Sequence, residues 1–166
     1  MKKIFIPLAL LLAITMIAGR INVKAVETEI VIDASAEKIW QVLIEADAYP
    51  NWNPFINKIS DDIYEGNKLK VMLNPEFSGQ GEVEIKVGQL RFGETMVWIS
   101  RPLMTDLLSG RHYFKTEEMP DGKIKFINME SYSGLLLYLS WPFIEPKARQ
   151  GFEAMNVALK AEAERL

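Results

Sequence analysis

From Ile56 to Gly134 the chain reads as one strand after another, and this run limits the fold more than anything else in the sequence. "GEVEIKVGQL" alternates with period two: Val83, Ile85 and Val87 point one way, Glu82, Glu84 and Lys86 the other. That pattern describes a sheet with one face in a core and one in water. "INKISDDIY" and "NKLKVMLN" flank a turn at Gly66-Asn67. "ETMVWIS" is apolar on both faces and is expected to be covered more fully, and "LLSGRHYFKTEE" and "KIKFINMESYSG" complete six strands. "ETEIVIDA" (Glu27 to Ala34) adds a seventh at the front. Short connections make most neighbours antiparallel.

Helices bracket these six strands. After the first strand, Ser35 can cap a helix and Glu37 suits its first turn. Ile39, Val42, Leu43 and Ala46 recur at helical spacing, and Pro50 requires the helix to end before it. "YPNWNPFI" then reads as a stiff, irregular, partly apolar connection whose Trp52 and Phe55 pack on the core or cover an opening to it. At the other end Pro146 suits a first helical turn, and Ala148, Phe152, Met155, Leu159 and Leu166 line one face. Twenty helical residues span about 30 Å, enough to cross a sheet. The expected class is α+β: a curved antiparallel sheet of about seven strands around a long C-terminal helix.

The only histidine begins the stretch "HYFKTEEMPDGKIKFINME", and a glutamate ends it. If Arg111 and Lys115 face water, Gly110, His112, Phe114 and Thr116 face inward; if Lys123 and Lys125 face water, Ile124, Phe126, Asn128, Glu130 and Tyr132 do so too. Register gives an independent test. Pro120-Asp121-Gly122 suits a type I turn closed by a glycine bulge, which pairs Met119 with Lys123. Counting back puts Phe114 opposite Asn128 and His112 opposite Glu130, with Cβ atoms roughly 4.5–5.5 Å apart. Two roles are open to the pair. It can be a structural or ligand-orienting partnership completed by Asn128, Tyr132 and Thr116, or an acid–base pair for catalysis.

The N-terminus carries a different signal. A basic "MKK", the apolar run Ile4 to Gly19 and the small residues of "VKA" follow the layout of a signal peptide cleaved after Ala25, leaving a domain over 26–166. The alternative is an N-terminal membrane anchor over residues 4–19; either way the domain is exported. Of 19 basic residues, removing Lys2, Lys3, Arg20 and Lys24 leaves 15 against 22 acidic ones, a net charge of −7. That acidity argues against nucleic acid as a partner and against binding anionic membranes by charge. The lack of cysteine excludes a disulfide framework and a lipoprotein anchor. One histidine and no cysteine leave no donor set for a catalytic zinc, so no metal and no cofactor are expected. Neither a phosphate-binding glycine loop nor a nucleophile elbow occurs, and "GQG" (79–81) lacks the remainder of a dinucleotide motif. Met96, Met129 and Met155 read as core fillers or as adaptable pocket lining.

In "IVIDASAEKIWQVLIEADAYPNWNPFI", "SGRHYFKTEEMPDGKIKFINMESYSGLL" and "FEAMNVALKAEAE" the chain resembles the SRPBCC superfamily. This is the START-like, birch-pollen-allergen-like helix-grip group, and the closest likeness is to its polyketide cyclase/dehydrase-like branch. Trp52, Asn53, Pro54 and Phe55 match the motif after the first helix; His112, Phe114, Glu130 and Gly134 match the late-strand pattern. The resemblance implies a helix-grip fold with a short helical pair after the first strand, and an apolar cavity between sheet and terminal helix for a lipid, polyketide, or other aromatic or isoprenoid molecule. It does not settle between a binding protein and a cyclase- or dehydratase-type enzyme using His112 with Glu130. A third class is an interaction module whose interior is filled by its own side chains. The expected lining is Trp52, Phe55, Val83, Ile85, Val87, Trp98, His112, Phe114, Phe126, Asn128, Glu130, Phe152 and Met155. Transient membrane contact for ligand exchange is expected as well. Export departs from the many cytoplasmic relatives and disfavours quinone-synthesis and cytoplasmic aromatase roles.

Overall fold

The structure, a computed structural model, describes residues 23–79, 81–100 and 108–166. The apolar run Ile4 to Gly19 therefore lies outside the described residues. Seven strands form one antiparallel sheet: β1 (Val23–Ile32), β2 (Ile56–Ile59), β3 (Lys68–Leu73), β4 (Glu82–Arg91), β5 (Thr95–Ser100), β6 (Ser109–Glu118) and β7 (Ile124–Ser133). Their order across the sheet is β1-β7-β6-β5-β4-β3-β2. Six consecutive strands thus run as a meander, and the first strand closes beside the last.

The chain crosses from one edge of the sheet to the other through α1 (Ala36–Ile44), a 3-10 turn (Ala46–Ala48) and α2 (Tyr49–Trp52). Ser35 caps α1 as expected, its hydroxyl accepting from the Lys38 N–H at 3.3 Å. The first helix stops earlier than its apolar spacing suggests, so Ala46 belongs to the 3-10 turn. "YPNW" is not irregular but one helical turn, with Pro50 where a proline needs no N–H partner. Tyr49 holds this corner: its hydroxyl donates to the Leu43 carbonyl at 2.8 Å, and burial pushes the phenol far above its ordinary range.

A single turn, α3 (Pro75–Ser78), joins β3 to β4. The last helix, α4 (Leu137–Arg165), starts nine residues ahead of Pro146, which lies inside it together with Pro142. Each removes one bond of the helical ladder, so the carbonyls one turn back, of Tyr138 and of Pro142, lose their helical donors. Leu166 is exposed, and Ala163 takes its expected place on the buried face.

The glycine-bulge hairpin forms as read. Gly122 has φ of +80°, the Met119 N–H donates to the Lys123 carbonyl, and the register pairs His112 with Glu130 and Phe114 with Asn128. In β4 the register slips between Val87 and Gln89. A bulge there bends the strand and increases its twist, which helps curl the sheet over α4.

Three polar ties fasten α4 along β1. Arg149 Nη1 donates to the Glu27 carbonyl, Lys160 Nζ to the Val31 carbonyl, and the Asp33 N–H to Glu164 Oε1. Val23, Lys24 and Ala25 pair with Ser133, Tyr132 and Ser131, so the cleavage point expected after Ala25 falls inside β1.

Candidate functional site

The interior divides into two halves. Toward the C-terminal half of α4, Phe152, Met155, Leu159 and Ala163 pack against Val87, Met96, Phe114 and Phe126 with no exposure to speak of. Toward its N-terminal half the sheet and helix stand apart and enclose a cavity of about 350 Å³. Ile144 and Ala148 of α4 form one wall; Val71, Val83, Ile85 and Trp98 form the sheet wall; Phe55 and Phe77 close one end.

Local sequence explains why those two phenylalanines stand there. Asn53 is buried, and its Oδ1 accepts from the N–H groups of Phe55 and Ile56, both at 2.9 Å, which turns the chain sharply after α2. Asn74 then ties α3 to that turn by donating to the Pro54 carbonyl. Both residues crowd Gly151: a Cβ there would stand 2.5 Å from Phe55 Cδ2 and 3.0 Å from Phe77 Cβ. Glycine therefore lets the aromatic end of the cavity sit directly on the helix backbone.

The other end is polar. His112, Glu130, Tyr132, Ser100 and Ser109 all line it, and Gly110 makes room among them. A methyl at Gly110 would overlap a Glu130 carboxyl oxygen and come within 2.8 Å of Ser100 Oγ. The Tyr132 hydroxyl donates to Glu130 Oε2 at 2.8 Å. Burial, reinforced by the Glu130 charge beside it, holds this phenol far above its ordinary range, so it stays a donor. The indole N–H of Trp98 is buried and has no partner.

Behind His112 runs a chain of buried hydrogen bonds whose direction can be read. The Thr28 hydroxyl donates to the Asn128 carbonyl and accepts from Asn156 Nδ2 at 3.0 Å. Asn156 Oδ1 accepts from Asn128 Nδ2 at 3.0 Å. Asn128 Oδ1, which can only accept, lies 2.5 Å from His112 Nε2. Nε2 therefore carries a hydrogen, and in the neutral ring Nδ1 holds the lone pair. Nδ1 faces Glu130 Oε2 at 3.6 Å, beyond hydrogen-bond range but close enough for an ion pair once the ring is protonated. Phe114 stacks on the imidazole at 4.3 Å between centroids, and Phe152 leans on it at 4.7 Å. The ring is held on every side except the one toward Glu130 and the cavity.

Among solved structures, norcoclaurine synthase from Thalictrum flavum, in complex with dopamine and hydroxybenzaldehyde, matches with a TM-score of 0.69 at 16% identity, over 97% of this chain and 95% of that one. A START superfamily protein from Mycobacterium smegmatis matches with a TM-score of 0.65 at 19% identity, over 85% of this chain and 97% of that one. The Zhui aromatase/cyclase from a Streptomyces species matches with a TM-score of 0.65 at 13% identity, over 87% of this chain and 95% of that one. The chain has the helix-grip fold that these structures share. No protein-family model and no curated protein matches the sequence.

Within this helix-grip cavity, the residues expected to line it fall into three groups. Phe55, Val83, Ile85, Trp98, His112 and Glu130 do line it. Val87, Phe114, Phe126, Phe152 and Met155 are packed into the solid half, and Asn128 stands behind the histidine as part of the relay. Trp52 leans at a tilt on Tyr49 and lies on a separate shallow hollow between α1 and the end of α4. The expected list lacked Val71, Phe77, Ser100, Ser109, Tyr132, Ile144 and Ala148 of the lining, and Asn156 behind the histidine. Asn156 had a legible signal, a lone amide in the apolar stripe between Phe152 and Leu159. Phe77 had none, because α3 is a single turn within a polar loop. Among the described residues no group of three or more carboxyl or imidazole side chains converges to hold a metal ion.

Proposed function

We propose that this domain binds a small hydrophobic molecule between its sheet and its terminal helix. One observation carries the reading: a cavity of about 350 Å³ with aromatic and aliphatic walls, His112, Glu130, Tyr132, Ser100 and Ser109 clustered at one end, and Ser78, Glu82 and Glu84 also bordering it. That volume and that distribution suit an apolar body with one polar group. The lipid, polyketide, and aromatic or isoprenoid classes all fit the description. Export across the cytoplasmic membrane, with residues 1–25 as signal peptide or residues 4–19 as anchor, is part of the proposal, and so is ligand exchange by transient membrane contact. The basic start and the apolar run support the first.

The test is to purify the full chain from its membrane or exported fraction, extract it with organic solvent and analyse the extract by mass spectrometry. A stoichiometric apolar compound is expected, together with displacement of an environment-sensitive dye. Gly110→Ala, which pushes a methyl against Glu130, should weaken dye binding several-fold. An empty extract, and no binding across a panel of apolar dyes, would refute the reading.

A second reading has its own support. His112 Nδ1 and the Glu130 carboxyl both face the cavity, so an acid–base enzyme of cyclase or dehydratase type can be built on them. It requires a turnover that His112→Ala abolishes while ligand binding survives. Loss of stability with no change in any reaction would make the pair structural.

A further inference from the structure

The first turns of α4 carry an apolar surface that the domain does not cover. From Gly134 to Ile144 the sequence is "GLLLYLSWPFI", with no charged residue. Leu137 is buried, Ile144 faces the cavity and Trp141 packs on Tyr132 at 5.9 Å between centroids. The opposite side is open. Tyr138 is 75% exposed, Leu139 72% and Phe143 73%, and Leu135 and Leu136 are exposed beside them. A cluster of large apolar side chains in water has a cost that a partner surface removes.

We propose that this face docks on a lipid bilayer and that the docked segment is where ligand passes between bilayer and cavity. Three observations choose a bilayer over another partner. First, leucines with tyrosine, tryptophan and phenylalanine are the residues that settle at a membrane interface. Second, Lys24 Nζ lies 5.6 Å from the Tyr138 ring centroid and 5.1 Å from that of Trp141, so a cation stands at the rim of the patch, where lipid phosphates would be. Third, the chain leads there. Arg20, Ile21 and Asn22 alone separate the apolar run Ile4 to Gly19 from Val23, the first residue of β1. A bilayer holding that run lies within roughly 15 Å of Val23. Val23, Lys24 and Ala25 are paired in the sheet, which supports retention of the N-terminal segment over cleavage after Ala25. Anchor and patch then meet one membrane together.

The portal follows from the two sides of the same turns. Leu139 and Phe143 face outward, while Ile144 and the Trp141–Tyr132 contact border the cavity. The first turns of α4 are thus what stands between lipid and the pocket. This inference rests on the proposed membrane exchange for its purpose but not for its geometry. An empty cavity with a docked patch would sink ligand binding alone; a filled cavity with an undocked patch would sink the docking face alone.

The chain has no cysteine, so single probes can be placed cleanly. Full-length Leu139→Cys and Phe143→Cys are each labelled with an environment-sensitive fluorophore and reconstituted into phosphatidylcholine vesicles containing spin-labelled acyl chains. Glu153→Cys, exposed further along α4, is the control. The expected result is severalfold quenching at positions 139 and 143 and none at 153. Absence of quenching at 139 and 143 in vesicle-bound protein would overturn the proposal. A probe that reports an apolar environment without lipid quenching would overturn it as well. Loss of that signal on dilution would assign the patch to a second copy of the chain, and persistence would assign it to the chain's own apolar run.

Discussion

The relay behind His112 makes a prediction that depends on the direction of its hydrogen bonds. Asn128 and Asn156 are both buried, at 0% and 1% exposure. Asn128→Ala removes the partners of His112 Nε2–H and of Asn156 Oδ1 and leaves two orphaned polar groups. Asn156→Ala orphans Asn128 Nδ2, while Thr28 keeps its donation to the Asn128 carbonyl. In the double variant only His112 Nε2–H is orphaned. An unsatisfied buried group costs about 1–3 kcal/mol. Each single substitution should therefore destabilise by about 2–4 kcal/mol once truncation is included. The double should fall short of the sum by roughly 2 kcal/mol or more, because two of the orphans vanish together. Urea unfolding followed by circular dichroism, with unchanged m-values, measures all four corners of the cycle. Additivity within about 0.5 kcal/mol would mean that the two amides are independent, and the relay would be refuted. Nitrogen NMR of the imidazole adds a second check: the neutral ring should carry its hydrogen on Nε2, and an Nδ1–H ring would reverse the whole chain.

Two further outcomes follow from other parts of the fold. Gly151→Ala would ordinarily stabilise a helix by about 0.5–1 kcal/mol. Here the new methyl would meet Phe55 and Phe77 at 2.5 and 3.0 Å, so a net loss of about 1–3 kcal/mol is expected in thermal or urea unfolding, and a gain would refute the close approach. Glu164 accepts from the Asp33 N–H and pairs with Lys160, and these contacts, the amide first, hold its carboxyl below the ordinary value of 4.5. Its contribution to stability is thus complete above pH 4.5 and is lost as the pH falls through the lowered value. The stability gap between the natural chain and Glu164→Gln, measured by urea unfolding across acidic pH, should be flat at neutrality and shrink in acid. A gap that widens in acid would contradict the assignment.

The most legible part of this protein was whatever local chemistry determines. Alternation placed β4 and the two strands of the hairpin, since a period of two sends residues to opposite faces whatever the rest of the chain does. Pro120-Asp121-Gly122 admitted one turn geometry, and that turn set the register over the whole hairpin, so His112 could be placed opposite Glu130 without a structure. The start of α4 was not legible. Pro146 marks a helix start in isolation, yet Leu137 and Ile144 gain burial by extending the helix backward. Long-range packing outweighed that local signal.

Facing inward and lining a cavity also proved to be different properties. Val87, Phe114 and Phe126 share their faces with Ile85, His112 and Asn128, but the side chains of α4 fill the space in front of them. Beside Ile144 and Ala148 the same sheet is left uncovered. Which half is solid depends on how residues from most of the strands and the last helix pack, and no local period records that sum. The sequence by itself determined the strands, their faces and one register, because those follow from backbone geometry and neighbouring residues. Only the tertiary structure decided where the interior is empty, which way the buried amides point and which apolar side chains remain uncovered, because each of these depends on residues distant in the chain competing for one volume.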